Sequence, residues 1–597
     1  MRNLLLLLAA LPCAAVLSAS AQTDDTLPGI DYVSAAGIVT PGRSDANVIW
    51  CSPDAAVDDS GDGTEEHPFY NLQAAVDRAS AGTTILMKAG TYVYDSRINI
   101  NGINGTHDNY ITVMCPDGRA VLDFSAMPYH KHSDNPQQGI RLTGSYWHFY
   151  KIDITQASDN GMLIEREKPV KGKASDVEKR TQDAHDNIIE FCRFFKNGDS
   201  GLQIKNLGAR NYIINCDSYE NRDEDDGDAD GFAPKISVGD GNYFFGCRAY
   251  NNSDDGYDVF FKKDGGFSDN KTIVFENCLA YENGYMDSGR TKGKGNMNGF
   301  KCGSKQGRMN VVLNRCIAVN NGSKGFDQNH NSGDIILNNC TGYALQAFGG
   351  KKAYSYRIYE PMADGSIVRL TNCVAINDNL KTDKHPNDES KHGDGSKKYG
   401  RMEVNTSEVP EITITTSDLS CDPSNFLSEN DYETLVGERD STGNLLWDEI
   451  SWGHQTRDNA LLVDRGTTVE ADTRYLPQGV AVPAVAFSGV APDLGAFEQD
   501  MTARKVSMRS ADVTAINNVR TADSSGSIHV TSTFSGLTVV TVDGKKASDV
   551  TTLSVFDFDG RILLRRSFNG PSTVLQLPED NHNFIISAAG KTVKVVK

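Results

Sequence analysis

Apolar and polar residues alternate along the middle of the chain in short runs, each opened by a cysteine. Aromatic and β-branched residues recur at strand spacing, and Gly and Asn interrupt them, which is typical of short strands joined by tight turns. Successive runs begin 24 or more residues apart, as from Cys192 to Cys216, and self-similarity at this period indicates a solenoid. The cysteines that open the runs are Cys192, Cys216, Cys247, Cys278, Cys316, Cys340 and Cys373.

Two further columns accompany the cysteines. The third residue after the cysteine is usually aromatic, as in Phe195, Tyr219 and Tyr250, and the fifth is asparagine. Parallel strands stacked about 4.8 Å apart place like residues on top of one another, and an inward Asn column satisfies the buried amides of a turn. The pattern predicts an all-β fold, a right-handed parallel β-helix, with the hand taken from the rule for parallel crossovers. The Asn column contains Asn197, Asn221, Asn252, Asn283 and Asn321.

A glycine column gives the register of another strand in each coil. Its members include Gly161, Gly201, Gly231, Gly256, Gly299 and Gly325. Two segments are inserted between the Asn and Gly columns, near 222–228 and near 285–296. Long loops on one side of a rigid scaffold are where a functional site is usually built.

Carboxylates gather around this glycine column. Asp230 and Asp255 directly precede its glycines, and with Asp254 and Asp258 they are expected to converge on adjacent coils. Unless they form a solvated acidic face, so many like charges require a cation, and an all-oxygen ligand set favours a hard ion such as calcium. Lys301, one coil beyond Asp258, is then a candidate base close to the ion.

At these residues the sequence resembles family 9 polysaccharide lyases, the calcium-dependent pectate lyase type. The resemblance extends over about residues 30–500 and implies that Asp230, Asp254, Asp255 and Asp258 bind Ca²⁺ and that Lys301 is the Brønsted base. The motifs that carry it are DADGFAPK (228–235), NNSDDGYDVF (251–260), NGFKCG (298–303) and KGFDQNHN (324–331), with SYWHFYKIDI (145–154) and SGLQI (200–204) in agreement.

The long 285–296 segment departs from the family pattern, and it leaves Lys292 and Lys294 as weaker alternatives for the base. Asp327, on the next coil, either orients Lys301 or is structural. Lys235 and Lys294 are further candidates for orienting the site or contacting substrate.

The N-terminus carries export and capping signals. Residues 1–21 combine a basic start, a Leu/Ala run and a small-residue cleavage site, which predicts a signal peptide and an exported protein. Cys13 would suit a lipoprotein, but the preceding Pro12 argues against it. No other apolar run approaches the ~20 residues of a membrane span. Residues 58–66 could bind another calcium, although a polar loop is favoured.

Residues 67–92 predict a helix that covers the open end of the solenoid, followed by the first strands. Leu72, Ala75, Val76 and Ala79 share one face of this helix.

The chain has twelve cysteines, and at least seven of them occupy the ladder frame. An exported chain favours disulfides. The ladder spacing favours stacked, buried free thiols instead, because buried Cys packs as a small hydrophobe.

The register fades after Cys373. Residues 380–401 are rich in Lys, Asp and His and predict an exposed loop. The β-helix is expected to end near residue 500, with Trp447 and Trp452 in its core, followed by a linker over 501–525. Alternating short runs in 526–597 predict a small C-terminal β-sandwich-like domain. It resembles the sorting or attachment domains of exported Bacteroidetes proteins.

The formal net charge of −20 excludes nucleic acid as the obvious partner. An acidic enzyme can act on an acidic plant polysaccharide, homogalacturonan or rhamnogalacturonan, if calcium bridges the two sets of carboxylates. We expect the protein to act as a monomer.

The predicted reaction is β-elimination on a galacturonate, with Lys301 removing the C5 proton beside calcium. The main alternative is a rhamnogalacturonan lyase with the same chemistry. A polygalacturonase-type hydrolase is disfavoured, because its paired Asp, His and RIK-type motifs are absent from the sequence. A noncatalytic pectin-binding solenoid, in which Lys301 is incidental, stays open.

Overall fold

The computed structural model describes residues 47–498 with gaps, and seven strands between 528 and 596. The predicted signal peptide, the predicted linker, Trp447, Lys292 and nearly all of 380–401 lie outside the described residues. The gaps before 498 are 59, 108, 129–136, 167–183, 263–269, 288, 292–293, 306, 345–352, 377–400, 405–410, 422–424, 427–431, 440–451, 453–460, 478–480 and 488.

Three long parallel sheets form the body of the protein, and each strand pairs with the equivalent strand of the next coil. The first sheet contains Val48–Cys51, Thr84–Met87, Ile111–Met114, Trp147–Tyr150, Ile188–Glu190, Tyr212–Ile214, Asn242–Phe245, Lys271–Glu276, Met309–Asn314, Ile335–Asn338, Val368–Thr371 and Ile412–Thr415. The second contains Ile98–Ile100, Ile140–Leu142, Met162–Glu165, Leu202–Lys205, Phe232–Pro234, Tyr257–Asp258, Phe300–Lys301, Lys324–Asp327, Tyr354–Ile358 and Arg401–Val404. The third contains Gly90–Val93, Ala120–Asp123, Ile152–Thr155, Arg193–Phe195, Asp217–Tyr219, Arg248–Tyr250, Leu279–Tyr281, Ile317–Val319, Thr341–Tyr343, Val374–Ile376 and Asp418–Cys421. This arrangement confirms the predicted parallel β-helix.

One short helix, Leu72–Val76, lies against the first coils. Asn71 caps its N-terminus by accepting a hydrogen bond from the Gln73 amide, and Leu72, Ala75 and Val76 are buried in the core. The helix ends before Ala79, earlier than the apolar pattern suggests. The amides of Arg78 and Ala79 bond three residues back, to Ala75 and Val76, so the chain tightens into 3₁₀-type turns there.

The cysteine column lies in the core between the three sheets. All eleven cysteines in the described part of the chain are free and buried, as the ladder interpretation requires. The thiols bond to main-chain carbonyls of the preceding coil: Cys216 to Ile189 O at 3.3 Å and Cys247 to Ile213 O at 3.2 Å. The thiols therefore pack as small apolar groups that also satisfy backbone acceptors.

The Asn column is an inward ladder, as predicted. Each buried amide donates to the next Asn side chain at 2.8–2.9 Å, from Asn197 through Asn221, Asn252 and Asn283 to Asn321. Asn187, Asn211 and Asn242 form a second ladder of the same kind, at 2.9 and 3.0 Å. The sequence shows its signal as an Asn directly before Ile188 and Tyr212 and as the first residue of Asn242–Phe245, three consecutive strands of the first sheet.

Later segments pack on the outside of the coils. Trp452 is fully buried and stacks on Tyr343 with 6.0 Å between ring centroids, which confirms its predicted core position. Arg315 forms a buried ion pair with Glu498, 2.5 Å between Nη2 and Oε1, and so ties residue 498 to the solenoid. A 3₁₀ helix covers Tyr432–Val436.

Antiparallel strands, as distinct from isolated bridges, occur in two regions of the described chain. Tyr285–Met286 pairs with Gly289–Arg290 inside the inserted 285–296 segment. In the C-terminal region, a three-stranded sheet contains Ile528–Ser532, Leu537–Val542 and Ser572–Gln576, and a four-stranded sheet contains Val550–Phe556, Ile562–Asn569, Asn583–Ala588 and Lys591–Val596. The domain boundaries stay a prediction. Among the residues described, no helix is long and apolar enough to cross a membrane.

We predict that Asn252→Leu destabilises the protein by about 1–3 kcal/mol, because loss of the Asn252 side-chain amide leaves its buried hydrogen-bond partners unpaired. Asn252 Nδ2 donates to Ser218 O at 3.0 Å and to Asn283 Oδ1 at 2.9 Å. The measurement is thermal unfolding in calcium-free buffer. Asn101→Leu, at an exposed Asn, is the control and should stay within about 0.5 kcal/mol of wild type. Equal melting temperatures for the two variants would place the ladder's energetic role in doubt.

Candidate active site

The second sheet places three of the predicted site residues in one row. Asp258 pairs in register with Lys301, and Lys301 with Asp327, so the three side chains stand on successive coils. The glycine column runs beside this row because a side chain does not fit there. A Cβ at Gly256 would lie 2.8 Å from Gly299 O and 2.7 Å from Asn283 Nδ2.

Three of the four predicted carboxylates converge. One oxygen from each of Asp230, Asp255 and Asp258 lies within 4.8 Å of the others, and all three residues are buried. Their Oδ1 atoms accept backbone hydrogen bonds, from Asp255 N at 3.1 Å, Asn298 N at 2.6 Å and Phe260 N at 2.8 Å respectively. Backbone amides of two adjacent coils therefore fix the carboxylates.

Two lysines contact the Oδ2 atoms of these carboxylates. Lys301 Nζ lies 3.1 Å from Asp255 Oδ2 and 3.2 Å from Asp258 Oδ2. Lys235 Nζ lies 2.5 Å from Asp230 Oδ2 and 3.4 Å from Asp258 Oδ2. Asp258 is thus shared by both ammonium groups.

The surroundings raise the pKa of both Asp230 and Lys301. Burial raises the pKa of Asp230 well above its usual value, and the nearby carboxylates add to this against the effect of Lys235. Burial would lower the pKa of Lys301, but Asp255, Asp258 and the other carboxylates outweigh it and hold that pKa well above its usual value. Lys301 is therefore an ammonium group in this arrangement.

Asp254 lies beside the group of three but is not part of it. Its Oδ1 accepts hydrogen bonds from the amides of Asn296 and Met297, the latter at 3.0 Å, at the end of the inserted 285–296 segment. Burial and the charge of Asp255 raise its pKa well above the usual value. The inserted segment thus holds this carboxylate next to the site.

The other predicted candidates are placed differently. Lys294 is exposed, and its Nζ pairs with Asp225 Oδ1 at 2.5 Å, so it joins the two inserted segments rather than the carboxylate group. Asp327 pairs with basic residues of its own strand and of the next coil, with Lys324 Nζ 3.4 Å from its Oδ2 and Arg357 Nη1 4.0 Å from its Oδ1. Lys292 lies outside the described residues.

Sequence reasoning missed further charged residues on this face. Arg357 follows Asp327 in the same register row, and its guanidinium lies 4.2 Å from the Tyr359 ring centroid. The sequence contained a signal for the position of Arg357, because the preceding Tyr356 continues the aromatic column of Phe300 and Phe326. On the other side, burial and Asp159 raise the pKa of Asp199 to about 7, although Lys235 opposes the shift.

The residues fit a hard divalent cation. The donors are carboxylate oxygens, the ligand type that calcium prefers. Asp255 Oδ2 is buried and accepts no hydrogen bond, although it is in ion-pair distance of Lys301. Burial and three neighbouring carboxylates raise the pKa of Asp230 despite Lys235, and a bound cation would stabilise its ionised form. Asp230, Asp255 and Asp258 could therefore hold such an ion, with Asp254 adjacent.

Comparison with known proteins gives relatives with this fold. The family described as Pel9A-like, right-handed beta helix region, matches residues 52–356. "Pectate lyase L" of Dickeya dadantii (strain 3937) is 29% identical over 474 residues, which is 77% of this chain and 93% of that protein. "Pectate lyase L" of Thermoclostridium stercorarium is 35% identical over 292 residues, 47% of this chain, but the match spans only 21% of that longer protein.

Two solved structures are similar. The crystal structure of pectate lyase Pel9A has a TM-score of 0.58 and 28% identity, and the match covers 78% of this chain and all of that chain. A structure of a rhamnogalacturonan lyase has a TM-score of 0.51 at 19% identity, over 69% of this chain and 97% of that chain, and this likeness concerns the fold alone.

We predict that Gly295→Ala destabilises the protein by about 1–3 kcal/mol, as overpacking does. A Cβ there would lie 2.4 Å from Asp254 Oδ1, so either the carboxylate or the segment must move. The measurement is thermal unfolding.

Gly227→Ala, in the facing 222–228 segment, is the matched control. Its Cβ would meet Lys294 Cβ at 3.5 Å, an ordinary contact, and the change should be within about 1 kcal/mol of wild type. If both variants behave alike, the close approach of Gly295 to Asp254 does not constrain the segment.

Proposed function

Because the chain belongs to the Pel9A-like right-handed β-helix family, we propose that it is a pectate lyase, a polysaccharide lyase that cleaves galacturonate chains by calcium-assisted β-elimination. The observation that carries the proposal is the position of Lys301 Nζ, 3.1 and 3.2 Å from two carboxylates of a buried acidic group. The pectate lyase names of its relatives, one of which it matches over 93% of that protein, support the same reaction.

Lys301 is the proposed base. Its Nζ takes the proton from C5 of a galacturonate, alpha to the uronate carboxylate. The electrons of the C5–H bond form the C4–C5 double bond, the C4–O bond breaks, and the leaving oxygen takes up a proton. Lys301 must be neutral before it can accept the C5 proton.

The metal centre is proposed at Asp230, Asp255 and Asp258, with Asp254 as the fourth ligand. Calcium bound there would neutralise the uronate carboxylate and stabilise the negative charge that develops after proton removal. The backbone hydrogen bonds to the Oδ1 atoms keep the carboxylates aligned on adjacent coils. Export through the 1–21 signal would bring this site to extracellular pectin.

Incubation with polygalacturonate, with and without calcium, tests the function. We expect ultraviolet-absorbing unsaturated products only when calcium is present, reversible loss of activity with a chelator, and retention of the fold in the chelator. Asp255→Ala should weaken calcium binding at least ~10-fold, measured by calorimetry, since even supporting residues of metal sites cost that much.

Four results would contradict this proposal. A new reducing end without an unsaturated product indicates a hydrolase, and no product with retained binding indicates a binding solenoid. Faster release of unsaturated products from rhamnogalacturonan than from polygalacturonate would assign the lyase to that polymer instead. Full activity in excess chelator would remove the metal from the mechanism.

Lys301→Arg should fold and bind calcium and substrate, yet lose turnover by ~10²–10⁴-fold, because Arg cannot act as a base. Wild-type kcat should rise towards alkaline pH, since the neighbouring carboxylates raise the pKa of Lys301 and its neutral fraction grows as pH increases. The measurement is the initial rate of product absorbance across pH at saturating calcium.

Lys294→Ala is the control, because Lys294 is exposed and paired with Asp225. It should change KM more than kcat. Substantial turnover in Lys301→Arg together with an inactive Lys294→Ala would assign the base to the inserted segment.

A further inference from the structure

Lys235 reaches the carboxylate group from a different direction than Lys301. It follows the strand Phe232–Pro234, and its amide donates to Ile204 O at 3.0 Å, so the backbone fixes its position. Its Nζ donates to Asp230 Oδ2 at 2.5 Å and lies 3.4 Å from Asp258 Oδ2. The side chain is only 10% exposed. It is therefore a buried ammonium group held against two of the proposed calcium ligands.

The carboxylates and ammonium groups alternate across the site. Lys235 joins Asp230 to Asp258, and Lys301 joins Asp258 to Asp255. Buried like charges are tolerated only when opposite charges compensate them. The two lysines together supply two positive charges, the same charge as one divalent cation, and so they act as internal counter-ions.

Lys235 and a metal ion require the same oxygen atoms. Asp230 Oδ1 already accepts a hydrogen bond from Asp255 N, and Asp230 Oδ2 is bound by Lys235 at 2.5 Å. A cation that binds Asp230 through Oδ2 must displace the ammonium group or share the oxygen with it. Either event costs part of a buried ion pair and so weakens metal binding.

Lys235 also has other acceptors within its reach. Its Nζ lies 3.4 Å from Asp228 O, and its charge acts on the carboxylate of Asp199, which precedes Ser200 on the previous coil. A displaced ammonium group therefore does not become an isolated buried charge, which keeps the exchange reversible.

From this geometry we propose that Lys235 is a built-in competitor for the calcium ion. It neutralises Asp230 and Asp258 when the site holds no metal, and it gives way when calcium binds. The inference rests on the proposed metal centre and deepens it, because it names a residue that sets the affinity of the site without being a ligand.

The test is calcium titration of Lys235→Met by calorimetry, together with thermal unfolding in chelator and in saturating calcium. We expect calcium to bind about tenfold more tightly than in wild type, given the strength of close, buried charge pairs. We also expect a lower melting temperature in chelator and a wider gap between the calcium and chelator curves. A structural role alone would lower both melting curves equally.

Lys324→Met is the matched control. It removes a lysine from the same face, but one paired with Asp327 at 3.4 Å rather than with the carboxylate group. Its calcium Kd should stay within about twofold of wild type, because solvent screens more distant charges.

The double variant Asp230→Asn with Lys235→Met covers the case in which the single variant does not fold. Removing both charges should restore folding in chelator, since the carboxylate that pairs most closely with Lys235 is then removed together with it. If the double variant also fails to fold, Lys235 is needed for packing and the competitor role is wrong. A wild-type Kd in Lys235→Met would equally overturn it.

The same experiment separates this inference from the proposed function. Absence of calcium binding to the wild-type protein would reject the metal centre itself. Normal binding to wild type with no difference in Lys235→Met would reject only the role of Lys235.

Discussion

The structure depends on the in-register hydrogen bonding of parallel strands from coil to coil. This pairing holds equivalent residues about 4.8 Å apart, so any residue type repeated in the sequence becomes a continuous column. Where the column is Asn, the amides bond to one another, and where it is Cys, the thiols bond to carbonyls below. Where it is Asp, the same spacing brings buried negative charges together. The solenoid and the candidate site therefore arise from one geometric constraint.

The negative charges of the crowded carboxylates must be compensated, because the fixed spacing of the coils does not allow the carboxylates to move apart. Asp230, Asp255 and Asp258 are fixed by backbone amides and cannot turn away from one another. Two lysines supply that compensation from opposite sides, one in the strand row and one just after a strand. The carboxyl group of Asp199, one coil earlier, adapts to burial by protonation instead of by pairing with a cation. Burial raises its pKa to about 7, so the group becomes neutral as the pH falls through that value.

Sequence reasoning predicted the residue positions that depend on the repeating columns. The rows that contain Asp258, Lys301 and Asp327 followed from counting residues along the glycine column, and the register is the same in the structure. The orientation of Asp254 was harder to predict, because it depends on amides of an inserted segment that has no counterpart in the repeat. The ion pair between Arg439 Nη2 and Asp217 Oδ1, 2.7 Å apart and 222 residues apart in sequence, could not be predicted either. Arg439 lies outside the repeats, so its position cannot be found by counting residues along a column.

The inserted segments show why such a scaffold can vary its site without losing its fold. They lie between the Asn and Gly columns, so they lengthen a coil without shifting the strands on either side. The strands keep their partners, as Tyr257 with Phe300 does across the longest insertion. The two segments bond to each other through Lys294 and Asp225 and through Gly295 N and Asp226 O. From this joined position the amides of Asn296 and Met297 donate to Asp254. The inserted segment therefore sets the position of this one carboxylate, while the residue columns set the positions of Asp230, Asp255 and Asp258.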